Sequence, residues 1–204
     1  MQPQTGYSAL YEEALRLAAR AHRDQMRKTG GVPYVTHPVH VSMILARYGF
    51  SEEVLAAALL HDVVEDQDVT LDEIEEQFGA HVAEIVDVLT EQKLDGEGNR
   101  RPWEIRKREA VAHMRQASEE AAAVKVADTI HNARSILRDM ARDGTKIWDK
   151  FNRGPEAQIG YYRRILAAGR EQLPGHPLVG ELADVVAELA AAVDTMTTEE
   201  ADYE

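Results

Sequence analysis

Residues 55–66, LAAALLHDVVED, decide the fold and carry the first signs of chemistry. The first six residues are small or apolar and suit a buried helix, whereas the second half holds His61, Asp62, Glu65 and Asp66. Residues four apart on a helix lie one turn apart, so the spacing pairs His61 with Glu65 and Asp62 with Asp66. The four polar groups then form one patch, which must face water, a cation or both.

Three acids beside one imidazole repel one another if they are buried without a counter-charge, because an unpaired charge is costly away from water. A divalent cation would remove that cost. A solvated acidic end of a surface helix is the alternative, and this stretch alone leaves both open. Two other segments of the chain bear on the choice.

The rest of the chain repeats the helical spacing of apolar residues and shows no alternating β-type run. We therefore expect an all-α fold, a compact single-domain bundle of about eight helices over residues 1–195, followed by a disordered acidic tail at 196–204. Thr70 and Glu73 are spaced as a capping box that starts one of these helices. Other helices are expected at residues 8–26, 38–48, 51–66, 80–92, 103–117, 119–140, 156–168 and 177–193.

The composition excludes several functional classes. The chain has 204 residues, 44% of them hydrophobic and 29% charged, which is ordinary for a soluble globular protein. A net charge of −13 argues against general nucleic-acid binding and against anionic membranes. The absence of Cys excludes disulfides and thiolate metal sites, and no apolar run is long enough to span a bilayer. We expect a cytoplasmic protein.

The second segment, VKVADTIHNARSI (124–136), interrupts an apolar helix with polar residues. Asp128, His131, Asn132 and Ser135 share one helix face. Asp128 can complete a metal shell, while the amide and hydroxyl of Asn132 and Ser135 suit ribose or phosphate oxygens. His131 fits a satisfied core histidine better than a ligand.

The third segment, RKTGGVPYVTHP (27–38), is a basic loop rich in Gly and Pro that ends on a His just before a helix. His37 is therefore well placed as a fixed ligand, although it also fits a plain helix start. Arg27 and Lys28 suit an anionic ligand or a solvated helix end. Together the three segments supply two His and two Asp, a mixed set suited to Mn, Fe or Zn.

These three strings, in the order H…HD…D with ED close behind HD, resemble the HD-superfamily metal phosphohydrolases. More narrowly, residues 11–137 are similar to the hydrolase domain of the RelA/SpoT family and its single-domain members, the small alarmone hydrolases. The resemblance implies removal of pyrophosphate from the 3′ position of guanosine tetra- or pentaphosphate. It also implies a divalent metal, typically Mn²⁺, with Fe, Zn or Co as the other choices.

The resemblance assigns roles to individual residues. It implies the metal ligands His37, His61, Asp62 and Asp128. It implies that Glu65 and Asp66 lie beside the reacting water as activators and proton-transfer groups. For the nucleotide, it implies Arg27 against the guanine face, Lys28 near phosphate or base, and Asn132 and Ser135 toward the ribose.

A basic patch lies between residues 93 and 108, where six Lys or Arg stand against three acids. Such a patch could steer a polyphosphate toward the metal, and a mixed-charge helix surface is the alternative. The candidate phosphate contacts are Lys93, Arg106 and Lys107.

One departure from the family pattern lies near the C-terminus. The family places an Arg one turn before a Tyr on a helix that lines the substrate site, and we expect Tyr161 and Tyr162 to line it here. Ala157 and Gln158 precede them instead. Arg153 is our candidate for the missing cation.

Two alternatives to the alarmone hydrolase stay open. One keeps the metal chemistry with another phosphorylated nucleotide, such as NADPH losing its 2′-phosphate. The other is a catalytically silent nucleotide sensor. In each case the expected partner is a small nucleotide rather than nucleic acid or a membrane, and the oligomeric state does not follow from the sequence.

Overall fold

Helices make up the regular secondary structure of residues 8–201, the part of the chain that this computed structural model describes, with side chains described to residue 196. The all-α prediction is confirmed. The helices are α1 (Ala9–Ala21), α2 (Thr36–Arg47), α3 (Glu52–Leu60), α4 (Val63–Asp66), α5 (Leu71–Phe78), α6 (Ala80–Leu89), α7 (Trp103–Met114), α8 (Glu119–Asp143), a 3-10 helix (Gly144–Lys150), α9 (Pro155–Gln172) and α10 (Pro177–Ala201).

Helix α3 lies at the centre of the bundle. It packs against α1, α2, α6 and α8, and its residues from Ala56 to Leu60 are fully buried. A helix that is apolar on nearly all sides is stable only when other elements surround it. The hydrophobic run that precedes His61 therefore carries this histidine into the interior.

Helix α8, with 25 residues, packs against α3. Ser118 caps its N-terminus, with the hydroxyl accepting the Ala121 N–H at 3.2 Å. The helix also packs against α2, α9 and α10. Asp128 and Ser135 are buried on it among Ala, Val and Ile side chains, so the expected polar face points inward.

The continuous helix expected over residues 51–66 is wrong. Helix α3 ends at Leu60, and α4 begins at Val63. The His61 ring turns back so that its Nδ1 lies 2.7 Å from the Ala58 carbonyl oxygen, and Asp62 has φ −108° and ψ −4°. The break between the helices allows the adjacent side chains of His61 and Asp62 to point toward each other, with Nε2 and Oδ2 3.0 Å apart.

The first helix is also shorter than expected, because it ends at Ala21 rather than at residue 26. The chain beyond it pairs with the returning loop instead of continuing the helix. The Arg27 N–H donates to the Val32 carbonyl at 2.9 Å, and the Tyr34 N–H donates to the Gln25 carbonyl at 2.8 Å. This pairing holds the Gly-rich loop against the bundle.

The two long connections have local structure. Residues 93–102 form a hairpin, in which the Asp95 carboxylate accepts the N–H groups of Glu97 and Asn99. Residues 143–155 contain the 3-10 helix. Helix α10 continues to Ala201, residues 202–204 lie outside the described residues, and the tail at 196–204 stays a prediction. In the described part of the chain, no helix is long and apolar enough to cross a membrane.

Loss of the α8 cap should destabilise the whole bundle. We expect Ser118→Ala to lower the free energy of unfolding by about 1 kcal/mol, because the Ala121 N–H loses its partner. Urea unfolding followed by circular dichroism measures the change. Ser118→Asp keeps an acceptor at the cap and should unfold like the wild type; equal loss in both variants would contradict the capping role.

Candidate metal centre and nucleotide cleft

Three side chains from three elements converge in the interior. His37 comes from the first turn of α2, His61 from the end of α3 and Asp128 from the middle of α8. One potential ligand atom from each lies within 4.8 Å of the others, and all three residues are buried. His37 Nε2 lies 3.2 Å from Asp128 Oδ1, and His61 Nε2 lies 4.0 Å from it.

Asp62, the fourth expected ligand, lies beside this cluster. Its Oδ2 is 3.0 Å from His61 Nε2 and 3.6 Å from His37 Nε2. The Tyr34 hydroxyl donates to the same oxygen at 2.6 Å. The structure therefore brings all four predicted ligands together, with Asp62 also held by a residue from the basic loop.

The ring nitrogens that face away from the cluster have partners of their own. His61 Nδ1 is bonded to the Ala58 carbonyl, and His37 Nδ1 lies 2.7 Å from His131 Nδ1. The Nε2 atoms are thus turned toward the carboxylates. His61 Nε2 is buried and faces Asp62 Oδ2 at 3.0 Å without a well-aligned hydrogen bond, so this nitrogen and that oxygen are placed to bind a cation between them.

The carboxylates control the charge of this centre. Burial lowers the pKa of His61, but Asp62 and Asp128 outweigh that effect and raise the pKa to about 9. Burial opposes the charge on Asp128 as well, yet Lys125 and His37 hold the pKa of this carboxyl well below its usual range. Two anions therefore share the site and attract positive charge. The pKa of His131 is lowered to about 3 by burial and by neighbouring cations, so this ring is neutral.

Glu65 and Asp66 lie on α4, three and four residues after Asp62, and line the same cleft as Asp128. The Glu91 N–H donates to Glu65 Oε2 at 3.2 Å, and Gln25 Nε2 donates to Asp66 Oδ2 at 2.8 Å. Burial, Asp62 and Glu91 raise the pKa of Glu65. These two acids are therefore held by the surrounding backbone and side chains.

Lys93, an expected phosphate contact, is paired with the two acids in the structure. Its ammonium group donates to Asp66 and lies 3.2 Å from Glu65 Oε1. The hairpin at residues 93–102 therefore contacts the carboxylate pair directly. Lys93 links the entrance of the cleft to the two candidate catalytic acids.

Asp128 of this cluster lines a cleft of about 470 Å³. The expected nucleotide contacts all line it, namely Arg27, Lys28, Lys93, Asn132, Ser135, Tyr161 and Tyr162, and so do Glu65, Asp66, Arg106, Lys107 and Arg153. Arg27 donates to Asn132 Oδ1 at 3.0 Å and lies over the Tyr34 ring, 5.6 Å from its centroid. The loop at residues 27–38 is thus joined to α8 at the cleft.

Acidic residues hold most of the cleft cations in place. Glu91 is almost fully buried and binds Arg106 at 2.9 Å and Lys107 at 2.6 Å. Lys107 also lies 5.0 Å from the centroid of the Tyr161 ring. Lys28 lacks such a partner among the described residues, and burial together with Lys107 and Lys93 lowers its pKa. An anionic ligand would relieve that repulsion.

Sequence reasoning missed several residues of the site. Lys125 binds Asp128 Oδ2 at 3.1 Å from one turn earlier on α8, a spacing that the sequence displays. Tyr34 lies inside the quoted loop but gave no chemical signal. Gln25 and the contact between His131 and His37 depend on tertiary packing, which no local pattern reveals.

Known proteins share this sequence pattern and fold. Residues 14–156 match the family described as HD domain. The chain belongs to the HD domain family. The family assignment includes all the ligand, carboxylate and loop residues described above and stops just inside α9.

Relatives of this HD domain protein include a Danio rerio protein named guanosine-3′,5′-bis(diphosphate) 3′-pyrophosphohydrolase MESH1. It is 41% identical over 134 residues, which is 64% of this chain and 71% of the relative. The Homo sapiens protein of the same name is 43% identical over 129 residues, 62% of this chain and 69% of the relative. Both alignments support the family assignment.

Two solved structures resemble this HD domain protein. One, described as a metazoan ortholog of SpoT that hydrolyses ppGpp, matches with a TM-score of 0.71 and 30% identity, over 90% of this chain and 97% of that chain. A protein from Listeria monocytogenes matches with a TM-score of 0.66 and 35% identity, over 74% of this chain and 96% of that chain. The HD-type helical bundle expected from the sequence is confirmed.

The residues present fit a divalent cation. Two imidazole nitrogens and a carboxylate oxygen form a donor set that first-row divalent metals accept. The outer nitrogen of each imidazole is hydrogen-bonded, as is usual for His ligands, and the inner nitrogen of each faces carboxylate oxygens within 3.0–3.2 Å. The HD domain therefore has the side chains to hold such an ion at His37, His61 and Asp128, beside Asp62.

Divalent metal should stabilise the fold through these ligands. At a free Mn²⁺ concentration of 100 times the dissociation constant, we expect about 2.7 kcal/mol of added stability, seen as a rise in Tm by differential scanning fluorimetry. His61→Ala should abolish the rise. His81→Ala removes a solvent-exposed imidazole that pairs with Glu120 and should keep it. An equal Tm response in the two variants would contradict the metal site.

Proposed function

We propose that this protein is a metal-dependent hydrolase that removes pyrophosphate from the 3′ position of guanosine tetra- or pentaphosphate. The observation that carries the proposal is a buried His–Asp cluster whose Asp128 lines a cleft together with two carboxylates and several cations. The names of the relatives agree with this activity. A soluble nucleotide substrate also agrees with the cytoplasmic location expected from the sequence.

The cleft can bind a substrate with several phosphate groups. Its cations come from the loop at residues 27–38, the hairpin and α7, so they surround the entrance to the metal cluster. Lys28 makes no ion pair among the described residues, and burial with Lys107 and Lys93 lowers its pKa against the attraction of Asp66, so an anionic ligand would stabilise its charge. Arg27, with its guanidinium over the Tyr34 ring, can stack on a base while Asn132 accepts its hydrogen bond.

The reaction needs a water molecule to form a bond to the phosphorus attached to the ribose 3′ oxygen. That oxygen leaves with the bonding electrons and takes up a proton, so the products are pyrophosphate and the 5′-diphosphate or triphosphate. A bound divalent ion, for which we propose Mn²⁺, supplies Lewis acidity that makes water more acidic and neutralises phosphoryl charge. We propose His37, His61, Asp62 and Asp128 as its ligands.

Glu65 and Asp66 are the groups that we propose accept and return the proton. Burial and nearby anions raise the pKa of Glu65, which brings a carboxylate base closer to neutral pH and makes it a stronger proton acceptor. The Glu91 N–H orients one oxygen of Glu65, while Lys93 contacts the other. Lys93 holds the pair in place and offers positive charge beside the site of reaction.

Measuring the products from a substrate panel tests the proposal. Guanosine tetraphosphate, NADPH and ordinary nucleoside triphosphates are each incubated with Mn²⁺, and released phosphate and pyrophosphate are quantified. We expect pyrophosphate from guanosine tetraphosphate, abolished by a chelator. Phosphate from NADPH alone would keep the metal chemistry and change the substrate, and Mn²⁺ binding without any turnover would favour the nucleotide sensor.

Glu65→Gln should separate catalysis from metal binding. The amide keeps the size of the side chain but cannot accept the proton, so we expect kcat to fall by about 10²–10⁴-fold. The Mn²⁺ affinity, measured by calorimetry, should change little. Glu76→Gln makes the same replacement on the exposed face of α5 and should leave kcat unchanged; full kcat in Glu65→Gln would refute the assigned role.

Arg153 is the proposed replacement for the cation that the family has one turn before the tyrosines. It lines the cleft and pairs with Glu104 at 2.6 Å, with both side chains substantially exposed. Such surface pairs contribute little and exchange readily for another anion. We expect Arg153→Ala to raise KM for guanosine tetraphosphate several-fold, whereas the exposed Arg163→Ala on α9 should not; an unchanged KM would remove Arg153 from the site.

A further inference from the structure

His131 contacts the metal cluster without being one of the proposed ligands. It lies on α8, one residue before Asn132, and its Nδ1 is 2.7 Å from His37 Nδ1. The two ring centroids are 4.8 Å apart. On its other side the ring of His40 stacks on it at 5.0 Å, with 17° between the planes. A polar ring is thus held directly behind a buried candidate ligand.

The contact between the two rings requires a definite arrangement of protons. Two facing nitrogens at this distance share one proton, so one of them donates and the other accepts. His37 Nε2 points toward Asp128 and Asp62. A neutral imidazole that gives its Nε2 lone pair to a cation keeps its proton on Nδ1. His37 then donates from Nδ1, and His131 Nδ1 must be the acceptor.

His61 provides an internal comparison. Its Nδ1 also faces away from the carboxylates, and there the partner is the backbone carbonyl of Ala58 at 2.7 Å. A carbonyl can only accept, so the backbone of α3 fixes the tautomer of His61. At His37 Nδ1 the corresponding partner is the side chain of His131. His131 must therefore accept the Nδ1 hydrogen of His37, as the Ala58 carbonyl accepts that of His61.

We propose that His131 is a positioning residue for the metal site: it accepts a hydrogen bond from His37 Nδ1–H and thereby fixes the ring orientation and tautomer that present Nε2 to the ion. This rests on the proposed metal-dependent function. The sequence predicted that His131 is a core histidine with hydrogen-bond partners inside the protein. His37 is that partner for its Nδ1. Loss of such outer partners typically weakens metal binding 10–100-fold.

Calorimetric titration of the metal-free protein with Mn²⁺ tests the proposal. His131→Leu fills similar space without an acceptor and should weaken Mn²⁺ binding 10–100-fold. His131→Asn places an amide oxygen near the position of Nδ1 and should restore most of the affinity. If His131 acted only by packing, Leu would preserve Mn²⁺ affinity at least as well as Asn. Higher affinity in His131→Asn than in His131→Leu therefore supports the hydrogen bond. Equal affinity of His131→Leu and the wild type would overturn the proposal.

His40→Leu is the matched control. It removes the ring stacked on the outer face of His131 but leaves the bond between His131 and His37 in place. We expect its Mn²⁺ affinity to match that of the wild type. A loss as large as that of His131→Leu would show that ring packing, not the hydrogen bond, sets the affinity, and would also overturn the proposal.

A second measurement is independent of the metal. In the metal-free protein labelled with ¹⁵N, a scalar coupling between the two Nδ1 nuclei across the N–H···N bond should appear in the NMR spectrum. Absence of the coupling would overturn the inference even if His131→Leu does not fold. If the wild type shows the coupling but binds no Mn²⁺, the metal site and the role of His131 both fail. If it binds Mn²⁺ and His131→Leu binds it equally well, the inference alone fails.

Discussion

The attraction between buried carboxylates and imidazoles is the interaction on which the site depends. Asp128 is buried and Asp62 is partly buried at the junction of α2, α3 and α8, where an uncompensated buried charge would cost several kcal/mol. Asn132 and His37 both contact Asp128 Oδ1, while Lys125 binds Asp128 Oδ2. Tyr34 and His61 both contact Asp62 Oδ2. The three helices are therefore tied together by charge as well as by their apolar faces.

The cleft shows that local charge, rather than net charge, decides what the protein can bind. The chain as a whole carries −13, yet cations from three segments gather at the entrance to the metal cluster. Buried Glu91 keeps Arg106 and Lys107 in place before any ligand arrives. Prior placement of this kind lowers the entropy that ordering side chains costs on binding.

The helical class was predictable because it depends on periodicity, and the residues that the resemblance assigned to the site do come together in the fold, although their roles stay predictions. The sequence did not predict the break at His61, since an apolar run followed by acids reads as one helix until the buried ring bonds to the Ala58 carbonyl. The salt bridge of Lys93 and the contact of His131 with His37 join residues far apart in the chain. Only the packing of helices brings such pairs together.

The proposed metal ligands lie on packed helices, whereas two of the cleft cations lie on surface connections. His37, Asp62 and Asp128 stand at the ends or middle of packed helices, whereas Lys93 and Arg153 lie on surface segments between them. Surface connections accept changes in length and sequence far more easily than a packed interior does. If the protein has the proposed activity, changes in the length or charge of the hairpin alter the choice of nucleotide, while the buried His–Asp cluster stays the same.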